Sequence, residues 1–173
     1  MGILARNVIG EISDCTFINT SVNGKETFGI LCYGDMDITI KDNYIDPCSK
    51  GGIGVMDGVC LIQDNTIIGP GKNPVVTHAP NGIQVAYGAS GLIIGNDVSA
   101  WGWNGSAWAG TGILVGDTSD VVIDDNYVHN CESAIGVGDF PASWMLPAAA
   151  SDMVVSNNTS EDNARGISVF NNI

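Results

Sequence analysis

The sequence predicts an all-β solenoid, a stack of short coils, and three observations carry that prediction. A Gly-Ile-x-Val string recurs six times, a second string with Asn at a fixed place follows the first five copies, and helical periodicity is hard to find anywhere. Glycine, at 23 of 173 residues, is roughly twice its ordinary share, as a chain of tight turns and short strands requires.

The first string reads Gly29-Ile30-Leu31-Cys32, Gly52-Ile53-Gly54-Val55, Gly82-Ile83-Gln84-Val85, Gly112-Ile113-Leu114-Val115, Ala134-Ile135-Gly136-Val137 and Gly166-Ile167-Ser168-Val169. The starts are 23, 30, 30, 22 and 32 residues apart. The second string, apolar-x-apolar-x-x-Asn-x-apolar, runs through Ile38 to Ile45, Cys60 to Ile67, Gly91 to Val98, Val121 to Val128 and, more loosely, Met153 to Ser160. A partial copy, Ile12, Cys15 and Phe17, precedes them. Alternation turns Ile30, Ile53, Ile83, Ile113, Ile135 and Ile167 inward in one column. One coil cannot bury its own apolar face, so neighbours stack with parallel strands ~4.8 Å apart, and six coils make a rod about 25–30 Å long.

Composition narrows the partners. Six Lys+Arg against 19 Asp+Glu leave a net charge of −13, which lacks the basic footprint of a nucleic-acid binder and disfavours anionic membrane surfaces. No apolar run approaches the ~18 residues of a membrane span, and Met1 to Arg6 shows no signal-peptide pattern. Hydrophobic residues at 45% and charged residues at 14% suit one domain with a real core, spanning 1–173 and admitting a place within a longer protein.

The Gly-Ile-x-Val and Ile-x-x-Asn-x-Ile pattern resembles the right-handed parallel β-helix repeat of the pectin-lyase-like superfamily, which includes pectate lyases, polygalacturonases, mannuronan epimerases and phage tailspike depolymerases. The resemblance covers about Val8 to Ile173 and implies a single-stranded right-handed parallel β-helix of about six coils. It also implies a role for Asn43, Asn65, Asn96, Asn126 and Asn158: an inward Asn at a turn bonds backbone groups of its own and the next coil. The five cysteines contain no Cys-x-x-Cys, and Cys15, Cys32 and Cys60 occupy repeat positions, so all are expected as small buried residues.

Function is expected where the repeat is interrupted. The links after Asn65 and Asn96 are 17 and 16 residues against eight or nine elsewhere, so 69–81 and 99–111 should protrude side by side. They carry His78, Trp101, Trp103 and Trp108, while Trp144 lies in a different insertion, 140–151. Together these loops would wall a groove floored by the outward Leu31, Gly54, Gln84, Leu114, Gly136 and Ser168. Sugar rings stack their C–H faces on aromatic rings and leave hydroxyls for polar side chains, so the loops suggest a glycan site. Gln84, Trp103, Trp108, Trp144, His78 and Asp57 are the expected binding residues.

Asp57, Asp117 and Asp139 form a carboxylate column, ending in Asn171, and Asp117 and Asp139 belong to successive coils. Their Cα atoms should lie ~5 Å apart, a geometry for paired-carboxylate hydrolysis or for calcium; ordinary turn chemistry is the competing account. They are the expected acid and base or nucleophile if the groove cleaves its ligand. No metal site or cofactor is assigned beyond that calcium possibility. The Arg base of pectate lyases, the Asp-Pro-His-Asp string of epimerases and the Asp trio of polygalacturonases have no match: Asp46-Pro47-Cys48-Ser49 lacks the His.

The expectation is a carbohydrate-directed module that binds or cleaves a polysaccharide, at an extracellular, cell or virion surface. The alternative is a non-catalytic structural segment of a surface or phage-spike protein. Thr39, Leu61, Leu92, Val122 and Val154 point outward in successive coils, and this apolar ribbon predicts a homo-oligomer, a trimer slightly ahead of a dimer.

Overall fold

A computed structural model describes residues 1–20, 26–73, 76–105, 109–139 and 150–170. Its strands, in chain order, are β1 (Ile3–Arg6), β2 (Ile9–Ser13), β3 (Thr16–Ile18), β4 (Phe28–Tyr33), β5 (Asp37–Lys41), β6 (Tyr44–Asp46), β7 (Gly51–Met56), β8 (Val59–Gln63), β9 (Thr66–Asn73), β10 (Asn81–Ala86), β11 (Ser90–Ile94), β12 (Asp97–Trp103), β13 (Thr111–Gly116), β14 (Val121–Asp124), β15 (Tyr127–His129), β16 (Ser133–Gly138), β17 (Val154–Ser156), β18 (Thr159–Glu161) and β19 (Arg165–Phe170). Every third strand pairs, always in parallel, giving three sheets that wrap one interior. Sheet A holds β1, β4, β7, β10, β13, β16 and β19; sheet B runs from β2 to β17, and sheet C from β3 to β18. The chain is thus a right-handed parallel β-helix of six coils and one further strand.

Register follows the repeat. Ile30, Ile53, Ile83, Ile113, Ile135 and Ile167 pair in sequence along sheet A, and the five whose strand is covered on both sides are fully buried. Each such side chain removed from water stabilises the fold by about 1.5–3 kcal/mol. Ile3 joins the same column, because Gly2-Ile3-Leu4-Ala5 is a seventh copy of the string. The repeat therefore begins earlier than Val8, and its Ala in place of Val hid it.

The asparagine column works as the resemblance implied. Asn96 Oδ1 accepts from the backbone N and the Nδ2 of Asn65, at 3.0 and 2.9 Å, and Asn96 Nδ2 donates to Asn126 Oδ1, Ile62 O and Ile94 O. Asn43, Asn126 and Asn158 extend this ladder in both directions, and Cys15 N donates to Asn43 Oδ1 at its start. The residue before each ladder position holds a left-handed backbone: Asp14, Asp42, Asp64, Gly95, Asp125 and Asn157, with φ between 52° and 68°. Asp and Asn tolerate that conformation better than other side chains do. Nine of the fifteen aspartates sit at positive φ, so much of the acidic charge is turn chemistry.

The five cysteines are free and mostly buried, and burial pushes the Cys32 and Cys131 thiols up to about 11 and Cys60 to about 12. They behave as core residues. Trp101, expected on a protruding loop, is instead fully buried, because β12 extends through Trp103 and pairs with the extended β9. The two long links thus leave the body as a continuation of sheet C, with a bulge at Ala100. On sheet B, Leu61, Leu92, Val122 and Val154 stand in register, and Leu92 and Val154 are 44% and 50% exposed.

Candidate functional site: a groove over sheet A

Sheet A is open on its outer face. A groove of about 840 Å³ lies there, floored by β10, β13, β16 and β19, with Phe28 of β4 and Met56 of β7 at its edge. Its floor includes Gln84, Leu114, Gly136 and Ser168, four of the outward positions read from the repeat. It also includes a column the repeat did not reveal: Phe28, Asn81, Thr111, Ser133 and Arg165, each immediately before the Gly or Ala of the string. Strict alternation would turn these inward. The glycine after them prevents it, because Gly and Ile both face the interior. A Cβ on Gly82 would sit 2.4 Å from Val98 Cγ1, and one on Gly112 would sit 2.4 Å from Val128 Cγ1. Sheet C passes that close, and the pairing skips the glycine position, which reverses the parity of the residue before it.

The two ends of the floor carry aromatic rings. A Cβ on Gly51 would meet Phe28 Cε1 at 2.3 Å and one on Gly54 at 3.0 Å, so the Phe28 ring fills the space that side chains there would take. Phe170 lies against the Gly136 position, at 3.3 Å, in the same way. Met56 and Tyr87 complete that rim. Burial, and then the charge of Asp117, push the Tyr87 hydroxyl above its ordinary pKa.

One wall is the segment Val76 to Pro80, fastened from below. Glu26 Oε1 accepts from Thr77 N and His78 N at 3.0 Å and from Thr77 Oγ1 at 2.9 Å, and lies 3.1 Å from His78 Nδ1. Burial raises the Glu26 pKa, but these hydrogen bonds together outweigh it and hold the carboxyl below the ordinary range. Lys50 Nζ donates to Ala79 O, and burial holds its ammonium below the usual lysine range against the opposing pull of Glu26. Glu132 Oε2 accepts from Trp103 N and Gly110 N, both at 3.1 Å, and pins the neighbouring loop.

His78 and Gln84 line the groove. Trp103 does not: its ring folds against Gly105 and its Nε1 donates to Val76 O at 3.4 Å, tying one long loop to the other. Trp108 and Trp144 lie outside the described residues, as does Asn171. Asp57 and Asp117 hold the left-handed turn from sheet A to sheet B, with φ of 78° and 51°. Asp57 Oδ1 accepts from Gly58 N, and Asp117 is only 6% exposed. Asp117 and Asp139 do fall in successive coils, Asp117 N donating to Gly138 O, yet neither lines the groove. Asp139 instead accepts from Ala150 N and borders a separate hollow with Ser151 and Asp152. Among the described residues no three His, Cys, Asp or Glu side chains gather as a metal-ligand set.

Three comparisons with known proteins bear on the fold. The chain matches the family described as "Right handed beta helix region" over residues 5–99 and 29–173, and it belongs to that family. Neither the curated proteins nor the solved structures return a match.

Proposed function

We propose that the chain is a carbohydrate-directed β-helix module that binds an acidic polysaccharide along the sheet A groove. One observation carries this reading: in a chain of net charge −13, the described groove lining presents Lys50, His78 and Arg165, while the carboxylate beside it, Glu26, stands behind the wall on Thr77 and His78. Such a lining opposes the repulsion that the rest of the surface exerts on an anion. The Phe28 and Phe170 rings supply apolar faces for sugar rings, with Asn81, Gln84, Thr111, Ser133 and Ser168 between them for hydroxyls. Binding, not cleavage, is the form the geometry favours, because neither Asp117 nor Asp139 is among the residues that line the groove. Affinity electrophoresis tests it. Gels containing polygalacturonate, alginate or chondroitin sulfate should retard the protein, neutral dextran should not, and Arg165→Gln and added salt should weaken the retardation. Equal mobility in all four gels sinks the reading.

A second reading, the structural segment, is favoured by the apolar ribbon of Leu61, Leu92, Val122 and Val154. On it the ribbon is buried between copies in a homo-oligomer. Light scattering on Leu92→Glu with Val122→Glu tests it, and a folded monomer for both parent and variant removes the interface.

A further inference from the structure

Within the groove, Asn81 is 5% exposed, yet its Oδ1 accepts no hydrogen bond from any described residue. Its Nδ2 donates to Gln84 Oε1 at 3.0 Å, which leaves Gln84 Nε2 to donate elsewhere. A buried carbonyl oxygen without a donor is destabilising, and such groups are rare unless a ligand or water serves them. The assignment of amide O and N does not alter the conclusion. If both amides are turned over, Gln84 Nε2 donates to Asn81 Oδ1, and the pair then offers Asn81 Nδ2 and Gln84 Oε1. Either way one donor and one acceptor remain, side by side on β10.

Their neighbour across the sheet is the Phe28 ring, which covers Gly51 and Gly54, the register partners of Asn81 and Gln84. We infer that Phe28, Asn81 and Gln84 form a subsite for one pyranose ring. The ring's apolar face rests on Phe28, and two adjacent free hydroxyls engage the amide pair, one donating and one accepting. A carboxylate or sulfate, which only accepts, cannot satisfy the pair's acceptor. The charged substituent is therefore directed away from the pair, toward Lys50, His78 or Arg165. This subsite rests on the groove reading above and adds to it which face of the sugar is recognised.

The test uses the same three polyanions, each in native form and after O-acetylation, which blocks the hydroxyls and keeps the charge. The parent should bind the acetylated polymer about tenfold more weakly, as loss of a buried hydrogen-bonded contact predicts. Asn81→Ala and Gln84→Ala should each weaken binding to the native polymer by a similar factor, with little further loss in the double variant. All three variants should bind the acetylated polymer as the parent does, with melting temperatures confirming that they fold. Parent binding that is indifferent to acetylation, or variants that bind native polymer as the parent does, overturns the subsite while the groove reading stands. A parent that binds no polyanion overturns both.

Discussion

The passage from sheet B to sheet C and the passage from sheet C back to sheet A carry the same chain around the same core, but they are built on opposite plans. The first is one residue in left-handed conformation followed by one ladder residue, repeated from Asp14-Cys15 to Asn157-Asn158. The second is three residues long between β15 and β16, four between β6 and β7, and seven between β9 and β10 and between β12 and β13. Its polar groups do not repeat: Glu26 serves one loop and Glu132 the next. Polar residues that recur once per coil hold the solenoid together. Polar residues that occur once, such as Asn81, Lys50 and Arg165, give the groove its individual chemistry.

Breaking the recurrent passage should cost the most. Asn96→Leu removes the acceptor of two Asn65 donors and leaves the Ile62 and Ile94 carbonyls without their side-chain donor. A loss of at least ~3 kcal/mol is expected, read by urea unfolding. Gln84→Ala, half-buried in the groove, should shift the same measurement by less than ~0.5 kcal/mol. If the two losses are comparable, the division between scaffold and site is wrong.

Glu26 is an intermediate case, a single residue doing structural work for one wall. Glu26→Gln should cost about 1 kcal/mol at neutral pH by weakening its bonds to Thr77 and His78. The sign with pH follows from the lowered carboxyl pKa. The carboxylate's contribution is complete above its unfolded value near 4.5 and is lost as pH falls through the lower folded value. Urea unfolding from pH 7 to pH 3 should therefore show the parent and the Gln variant converging in acid. A gap that stays constant with pH excludes the carboxylate as its source.

The smallest effect sharpens the comparison most finely. Asp125 holds φ of 52°, and Asp125→Gly should be near neutral where Asp125→Ala costs about 0.5–1 kcal/mol. Thermal unfolding distinguishes them. Equal melting temperatures for the two variants mean that backbone conformation does not explain why Asp recurs there.

How much of this was legible in the sequence follows the same division. The inward Ile column, the ladder asparagines and the buried cysteines could be read because each recurs at a fixed offset from its neighbours. Gly2-Ile3-Leu4-Ala5 escaped because its last residue departs from the string, although the first three match it. The outward column of Phe28, Asn81, Thr111, Ser133 and Arg165 could not be read by alternation, since the inward glycine shifts parity by one. Its signal was present as variety: a position before a recurrent Gly-Ile, Ala-Ile in one coil, occupied by Phe, Gly, Asn, Thr, Ser and Arg. Trp101 and Trp103 were misplaced because the length of a link does not say how far the preceding strand continues into it. Asp57 and Asp117 drew attention as carboxylates, but their left-handed backbone supplies a sufficient reason for their residue type.

The asparagine ladder also has a polarity. Each rung from Asn65 to Asn158 takes two hydrogen bonds from the coil on its N-terminal side, one from a backbone N and one from an amide group. Remove the Asn96 side chain, and Asn65 loses the side-chain acceptor of its backbone N–H and one of the three acceptors of its amide group. Asn126 loses only one of two donors, because the Asn96 backbone still reaches its Oδ1. A lesion in one coil should thus loosen the chain unevenly, backward toward residue 1 more than forward. In Asn96→Leu, hydrogen exchange should quicken at the Asn65 amide and leave the Asn96 and Asn126 amides near parent rates. The molecule has a direction along its axis that the near-equivalence of its coils conceals.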